Sequence, residues 1–255
     1  MILAVDIGNS NIVLGCFDDD RVLFVERLST NHQYTDLEYV IAVKNILELN
    51  SMNVGAISGC IISSVVPSVT ETVKSALERL THTRVMTVGP GIKTGLRILL
   101  DNPVQLGSDR VADAVAAVNL YEAPLIIIDM GTATTVSVID AEKNYLGGMI
   151  IPGLRVSLDS LTMRTSQLPK IGIEPPKRVI GANTVECMKS GIIYYSAAGI
   201  DGVIERVEES LGSRCTVVST GGLAAKIIPH CKRDIIIDDQ LLLKGLMIIY
   251  KKNQK

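Results

Sequence analysis

The chain has no tryptophan, two phenylalanines and seven tyrosines among 255 residues. So few rings leave little surface on which nucleobases could stack. An excess of one charge sign is also missing: 25 Lys and Arg stand against 27 Asp and Glu, a formal net charge of −2. No long-range positive field draws in a phosphate backbone, so nucleic acid is not the expected partner. Long apolar runs are absent as well. The best candidate, LLLKGLMIIY near the C-terminus, is broken by Lys244 and followed by Lys251 and Lys252, short of the ~20 residues that cross a bilayer. The opening MILAVDIGNSN has no basic n-region and its apolar run stops at Asp6, which does not suit a secretory signal. A cytoplasmic protein with no membrane partner is expected. The five cysteines, Cys16, Cys60, Cys187, Cys215 and Cys231, are odd in number and scattered. With no C-x-x-C pair and no histidine at ligand spacing, they are expected to be reduced and mostly buried.

What is present is a foldable interior. At 47% hydrophobic and 20% charged, a chain of this length buries ~70–75% of the surface its unfolded form exposes. Disorder and fibre are excluded. The N-terminal segment reads as a β-meander: strand ILAVDI, a turn at Gly8 to Ser10, strand NIVLGCF, an acidic turn at Asp18 to Asp20, and strand RVLFVERL. A helix over LEYVIAVKNILEL, a buried strand in GAISGCIISSVV and a helix starting at Pro67-Ser68 follow. Strand and helix alternate, which implies α/β layering.

A second meander opens near the middle, with PLIIIDM, Gly131, TATTVSVID, a turn at Ala141 to Asn144, and YLGGMII. Placing Asp6 on Asp129 puts Gly8 on Gly131, an offset of 123 residues. A repeated strand-Asp-x-Gly-strand unit implies two similar domains, 1–120 and 121–255, facing each other across a cleft, and ligands favour such places. The second half continues with a long helix from about Asn183 to Leu211, a strand TVVST, a short helix LAAKII, the stretch IIIDD, and a closing helix from about Gln240.

Four segments can carry chemistry. In D6-I-G-N-S-N11, an Asp ends a buried strand and the following Gly lets a ligand approach backbone N–H groups. Such a turn suits phosphate oxygens and their metal, and its copy D129-M-G-T-A-T-T135 strengthens that reading over an ordinary hairpin. S219-T-G-G222 opens a helix after an apolar strand and fits an adenine or ribose contact, although a plain strand-to-helix turn has the same letters. In D101-N-P-V-Q-L-G-S-D-R110, Ser108 reads as a helix N-cap with Asp109 in the first turn. Asp109 there either complements the helix dipole or accepts a proton from a substrate hydroxyl, while Arg110 offers a fork to an acid group. The Walker-like G89-P-G-I-K93-T94 has Ile92 where Gly must precede the Lys and reads as a loop. His32, His82 and His230 lie near no hydrolase-type Ser or Cys motif.

With D6-I-G-N-S-N, D101-N-P-x-x-x-G-S-D-R, D129-M-G-T-A-T-T, L146-G-G-x-I-x-P-G and S219-T-G-G in this order, the chain closely resembles the type III pantothenate kinases along its whole length. The resemblance implies two actin-like (ribonuclease H-like) domains, each a mixed sheet with flanking helices, about a central cleft. It implies a homodimer that transfers the γ-phosphoryl of ATP to pantothenate, the first step of coenzyme A synthesis. A divalent cation such as Mg²⁺ and a monovalent one, K⁺ or NH₄⁺, are implied with it. Carried onto this sequence, Asp6, Ile7, Gly8, Asn9, Ser10, Asn11, Ile12 and Val13 form the first phosphate-binding hairpin, with Asp6 near the Mg²⁺–phosphate group. The resemblance further implies that Thr132 contacts ATP and that Asp129 ligates the monovalent cation. Gly107, Ser108, Asp109 and Arg110 would hold pantothenate, with Asp109 as general base, and Thr184 would reach the same substrate from the neighbouring region or subunit. Family members usually have Tyr before D-N-P, where this chain has Leu100. A relative acting on another small substrate would share both hairpins but differ at the G-S-D-R segment, and a catalytically silent one would have lost Asp6, Asp109 or Asp129, all of which are present.

Overall fold

The computed structural model describes every residue except Asp20 and Lys255, so Asp20 of the expected acidic turn lies outside the described residues. The chain forms two compact units. In the first, β1 (Ile2–Ile7) runs antiparallel to β2 (Asn11–Asp18), which pairs with β3 (Arg21–Ser29). Helix α1 (Asp36–Leu49) follows, its start fixed by a capping box between Thr35 and Glu38. β4 (Gly59–Ser64) lies parallel to β1, α2 (Pro67–Thr81) begins on its proline, and β5 (Val85–Thr87) closes the sheet in the order β3-β2-β1-β4-β5. Every residue of β1 except Asp6 is buried, as an interior strand flanked on both sides requires.

β6 (Arg97–Ile98) belongs to the second unit, and α3 (Ser108–Leu120) begins in the first. The second meander is β7 (Leu125–Met130), β8 (Ala133–Ile139) and β9 (Asn144–Pro152). Then come α4 (Leu154–Arg164), α5 (Thr184–Leu211), β10 (Thr216–Thr220), α6 (Ala224–Ile227) and β11 (Ile236–Ile237). The sheet order is β11-β10-β7-β8-β9-β6, so five strands repeat the first sheet's connectivity, antiparallel meander and parallel neighbours alike.

The repeat holds almost residue for residue. β1 and β7 share the offset of 123, and so do β3 and β9. The middle strand departs from it: Asp6 opposes Val13, seven positions on, whereas Asp129 opposes Thr135, six positions on. The second hairpin turn is therefore one residue shorter, a difference an ungapped alignment hides.

Two further departures concern helices. The closing helix α7 (Leu241–Asn253) packs on β1 and β4, whereas a division at 120/121 assigns it to the second half. Its seat is tight: a Cβ on Gly245 would stand 1.9 Å from the Ala112 carbonyl oxygen, and one on Gly59 would meet the Tyr250 ring and hydroxyl. Helix α4 was not anticipated, because it buries only Leu154 and Leu158 and its apolar stripe is too narrow to stand out. Among the described residues no helix is long and apolar enough to cross a membrane.

Candidate active site

In the first hairpin the Gly8 N–H donates to the Asn11 carbonyl at 3.0 Å and closes the turn. Ile7 and Ile12, 0% and 1% exposed, anchor it in the core, so these two expected nucleotide contacts can offer backbone only. Asn9, Ser10 and Asn11 are exposed and Asp6 is half-buried at the end of β1, beside Ser63 of β4.

The second hairpin closes through the Gly131 N–H and the Ala133 carbonyl at 3.1 Å. Thr132 at its tip is exposed, and Asp129 is half-buried opposite Thr220 of β10. The Gly221 backbone comes close to this carboxylate. A Cβ on Gly221, a residue at φ +91, would lie 2.5 Å from Asp129 Oδ1 and 2.6 Å from the Met130 nitrogen, so only glycine lets the S219-T-G-G222 turn come so close. A Cβ on Gly153 would lie 2.2 Å from the Thr132 carbonyl oxygen and 2.7 Å from that of Gly131. The stretch after Gly221 is a single short turn, α6, rather than a helix that could present its N-terminus to a ligand. Its neighbour Asp238 donates its N–H to the Ser219 carbonyl and accepts from the Tyr121 hydroxyl at 2.9 Å. Burial, together with this carboxylate, pushes the Tyr121 hydroxyl up to about 12.

The start of α3 corrects one expectation. Ser108 is not an N-cap: it is the first helical residue, and the Gly107 carbonyl takes the first helical bond, from the Val111 N–H at 3.1 Å. The Ser108 hydroxyl instead donates to the Ser64 carbonyl and accepts from the Ser64 N–H, both at 2.9 Å, and lies 3.0 Å from Ser63 Oγ. The strand end β4 leaves those backbone groups without ladder partners, and a hydroxyl that can both donate and accept satisfies them. Helix α3 is thereby bolted to the sheet at its first residue. Ser63 and Ser64 were not anticipated here, although a polar pair ending the apolar run of β4 is a visible signal. Asp109 Oδ1 accepts from the Arg110 N–H at 2.7 Å and would sit 2.4 Å from a Cβ on Gly107, so the carboxylate folds over that glycine. Gly107, Ser108, Asp109 and Arg110 are all half-buried.

Leu100 and Thr184 fall in the second unit. Leu100 is half-buried, its Cδ2 3.4 Å from where a Cβ of Gly147 would stand. Thr184 is exposed as the first residue of α5, behind the N-cap Asn183, whose side chain accepts from the Glu186 N–H at 3.0 Å.

Comparison with known proteins bears on both fold and chemistry. The family model of the type III pantothenate kinases matches residues 2–206. A type III pantothenate kinase of Halalkalibacterium halodurans is 43% identical over 253 residues, 99% of this chain and 100% of that one. One from an Exiguobacterium species is 42% identical over the full length of both. Among solved structures, component A of the (R)-2-hydroxyglutaryl-CoA dehydratase of Acidaminococcus fermentans aligns with a TM-score of 0.57, 14% identity and 98% of each chain covered. A ROK hexokinase of Thermus thermophilus aligns with a TM-score of 0.50, 13% identity and the same coverage. These two likenesses concern the fold alone, and with the duplicated sheets they make it the two-domain actin-like fold. Full-length identity above 40%, carried by a chain that keeps both Asp-x-Gly hairpins and the G-S-D-R helix start, places this protein in the type III pantothenate kinase family.

Proposed function

We propose that this enzyme transfers the γ-phosphoryl group of ATP to the primary hydroxyl of pantothenate, giving 4′-phosphopantothenate for coenzyme A synthesis. The observation that carries the reading is the start of α3, where the Ser108–Ser64 bonds fix the helix start and the Arg110 N–H holds the Asp109 carboxylate beside Gly107 in the first helical turn. Phosphoryl transfer passes through a loose transition state, so the protein's task is positioning and charge neutralisation. Asp109 orients the hydroxyl and takes its proton late, which does not require a strong base. Arg110 offsets the carboxylate of pantothenate, with Gly107 and Ser108 shaping the backbone around it and Leu100 and Thr184 as further contacts. The turn from Gly8 to Asn11 receives phosphate oxygens on its backbone, and Thr132 contacts ATP.

The donor sets fit the cations this chemistry uses. A single carboxylate beside turn carbonyls suits cations that keep phosphate, carbonyl and water oxygens around them. Asp6 would hold Mg²⁺ together with ATP. Asp129, beside the Gly221 turn, would hold K⁺ or NH₄⁺. Bound there, the two ions would neutralise charge on the phosphate oxygens. We also infer a cytoplasmic homodimer.

Steady-state ADP formation with pantothenate, with and without K⁺, tests the cation assignment. K⁺ should raise the wild-type rate, and Asp129→Ala should abolish that response while the protein stays folded. A variant that still responds to K⁺ like the wild type would place the cation elsewhere.

A further inference from the structure

The phosphate-type hairpin of the first unit is held from behind by a residue that its motif does not contain. Thr30, half-buried and directly after β3, donates its hydroxyl to the Gly8 carbonyl at 2.6 Å and its N–H to the Ser10 carbonyl at 3.1 Å. In a trans peptide the carbonyl and the next N–H point in opposite directions, and the one cis bond among the described residues is Ala123-Pro124. Fixing the carbonyls of Gly8 and Ser10 on the Thr30 side therefore turns the N–H groups of Asn9 and Asn11 to the opposite side. Both asparagines are exposed.

Thr30 is itself braced. The hydroxyl of Tyr39, which is 1% exposed in α1, donates to the carbonyl of Asn31 at 2.8 Å and accepts from the Asn31 N–H at 3.2 Å. A core side chain thus grips both backbone groups of the residue after Thr30.

The internal repeat supplies an independent observation. The offset of 123 carries Thr30 onto Gly153, which directly follows β9 as Thr30 follows β3. Gly153 also meets turn carbonyls, those of Gly131 and Thr132, with no room for a Cβ. Both units thus use the residue after the third strand to back the turn. The longer first turn leaves space for a hydroxyl; the shorter second one presses backbone on backbone.

We propose that Thr30 is a positioning residue for the nucleotide: it sets the peptide planes of the Gly8–Asn11 turn so that their N–H groups meet the outer phosphates of ATP. The proposal rests on that turn being the phosphate site. The test is equilibrium binding of ATP and AMP, with steady-state kinetics, for Thr30→Val, Thr30→Ser, Tyr39→Phe and Asp6→Asn. Losing one hydrogen bond that orients the turn should weaken ATP by about tenfold in Thr30→Val. AMP binding and the KM for pantothenate should stay within about twofold, and Thr30→Ser should restore ATP binding. A generally loosened fold would weaken AMP and ATP alike, and that result, or unchanged ATP binding in Thr30→Val, overturns the proposal. If Thr30→Val does not fold, Tyr39→Phe answers instead: a loss selective for ATP supports the brace, and an equal loss for both nucleotides refutes it. Should Asp6→Asn leave ATP use untouched, the phosphate reading itself fails and the proposal with it. If Asp6→Asn cripples ATP use and Thr30→Val does not, the brace alone is wrong.

Discussion

Asp109 and Leu100 carry the substrate side of this account. Asp109→Asn keeps the size of the side chain and can still accept the Arg110 N–H, but it cannot take the proton of the acceptor hydroxyl. A fall in kcat of about 10²–10⁴-fold with ATP affinity nearly intact is expected. A folded variant with near-normal turnover would return Asp109 to the role of a carboxylate that complements the helix dipole. Leu100, where the family resemblance leads one to expect a tyrosine, is half-buried, its Cδ2 3.4 Å from where a Cβ of Gly147 would stand. A larger ring must displace its neighbours, so Leu100→Tyr is expected to raise the KM for pantothenate up to about tenfold, with ATP kinetics unchanged. A lower KM would mean that the site lacks a hydrogen bond a tyrosine hydroxyl supplies.

At the scale of elements, α5 is where the proposed dimer would form. It buries Met188, Ile193, Ala197, Ile200, Ile204 and Val207 in its own unit, yet leaves Tyr195 82% exposed, and the segment before it leaves Ile180 at 82%. Unpartnered apolar side chains of this size favour association. Light scattering should give about twice the chain mass, and Tyr195→Lys should shift the protein toward monomer; an active monomer at nanomolar concentration would contradict the dimer. The strands of both meanders were legible because β-branched runs bounded by Gly, Asn and Asp leave little choice, and the 28-residue α5 declared itself through its length and its Asn183 cap. Less was legible where tertiary contacts decide. Ser108 has the letters of an N-cap, but its hydroxyl satisfies the end of β4, a partner 44 positions away. The one-residue difference between the hairpin turns, the seat of α7 and the backing of the first turn by Thr30 likewise depend on which strands become neighbours. Burial of Ile7 and Ile12 narrows the expected site from eight consecutive residues to their backbone and a few exposed side chains.

For the whole molecule, one five-stranded plan has been used twice and loaded differently. The first unit carries Asp6 at the end of its central strand and the Asp109 helix start; the second carries Asp129 and the glycines around it. The fold alone accommodates many acceptors, since proteins of unlike function share it. Acceptor identity is therefore the central claim, and membership of the type III pantothenate kinase family is what ties it to pantothenate. The most direct measurement incubates the purified chain with ATP, Mg²⁺ and K⁺ and, in parallel, pantothenate, glucose, N-acetylglucosamine or no acceptor, and follows ADP and the mass of each acceptor. Pantothenate alone should gain a single phosphoryl group, with ADP formed in equal amount and the product forming about 10²–10⁴-fold more slowly in Asp109→Asn. Phosphorylation of a sugar in preference to pantothenate, or ADP formation indifferent to any acceptor, would contradict the assignment.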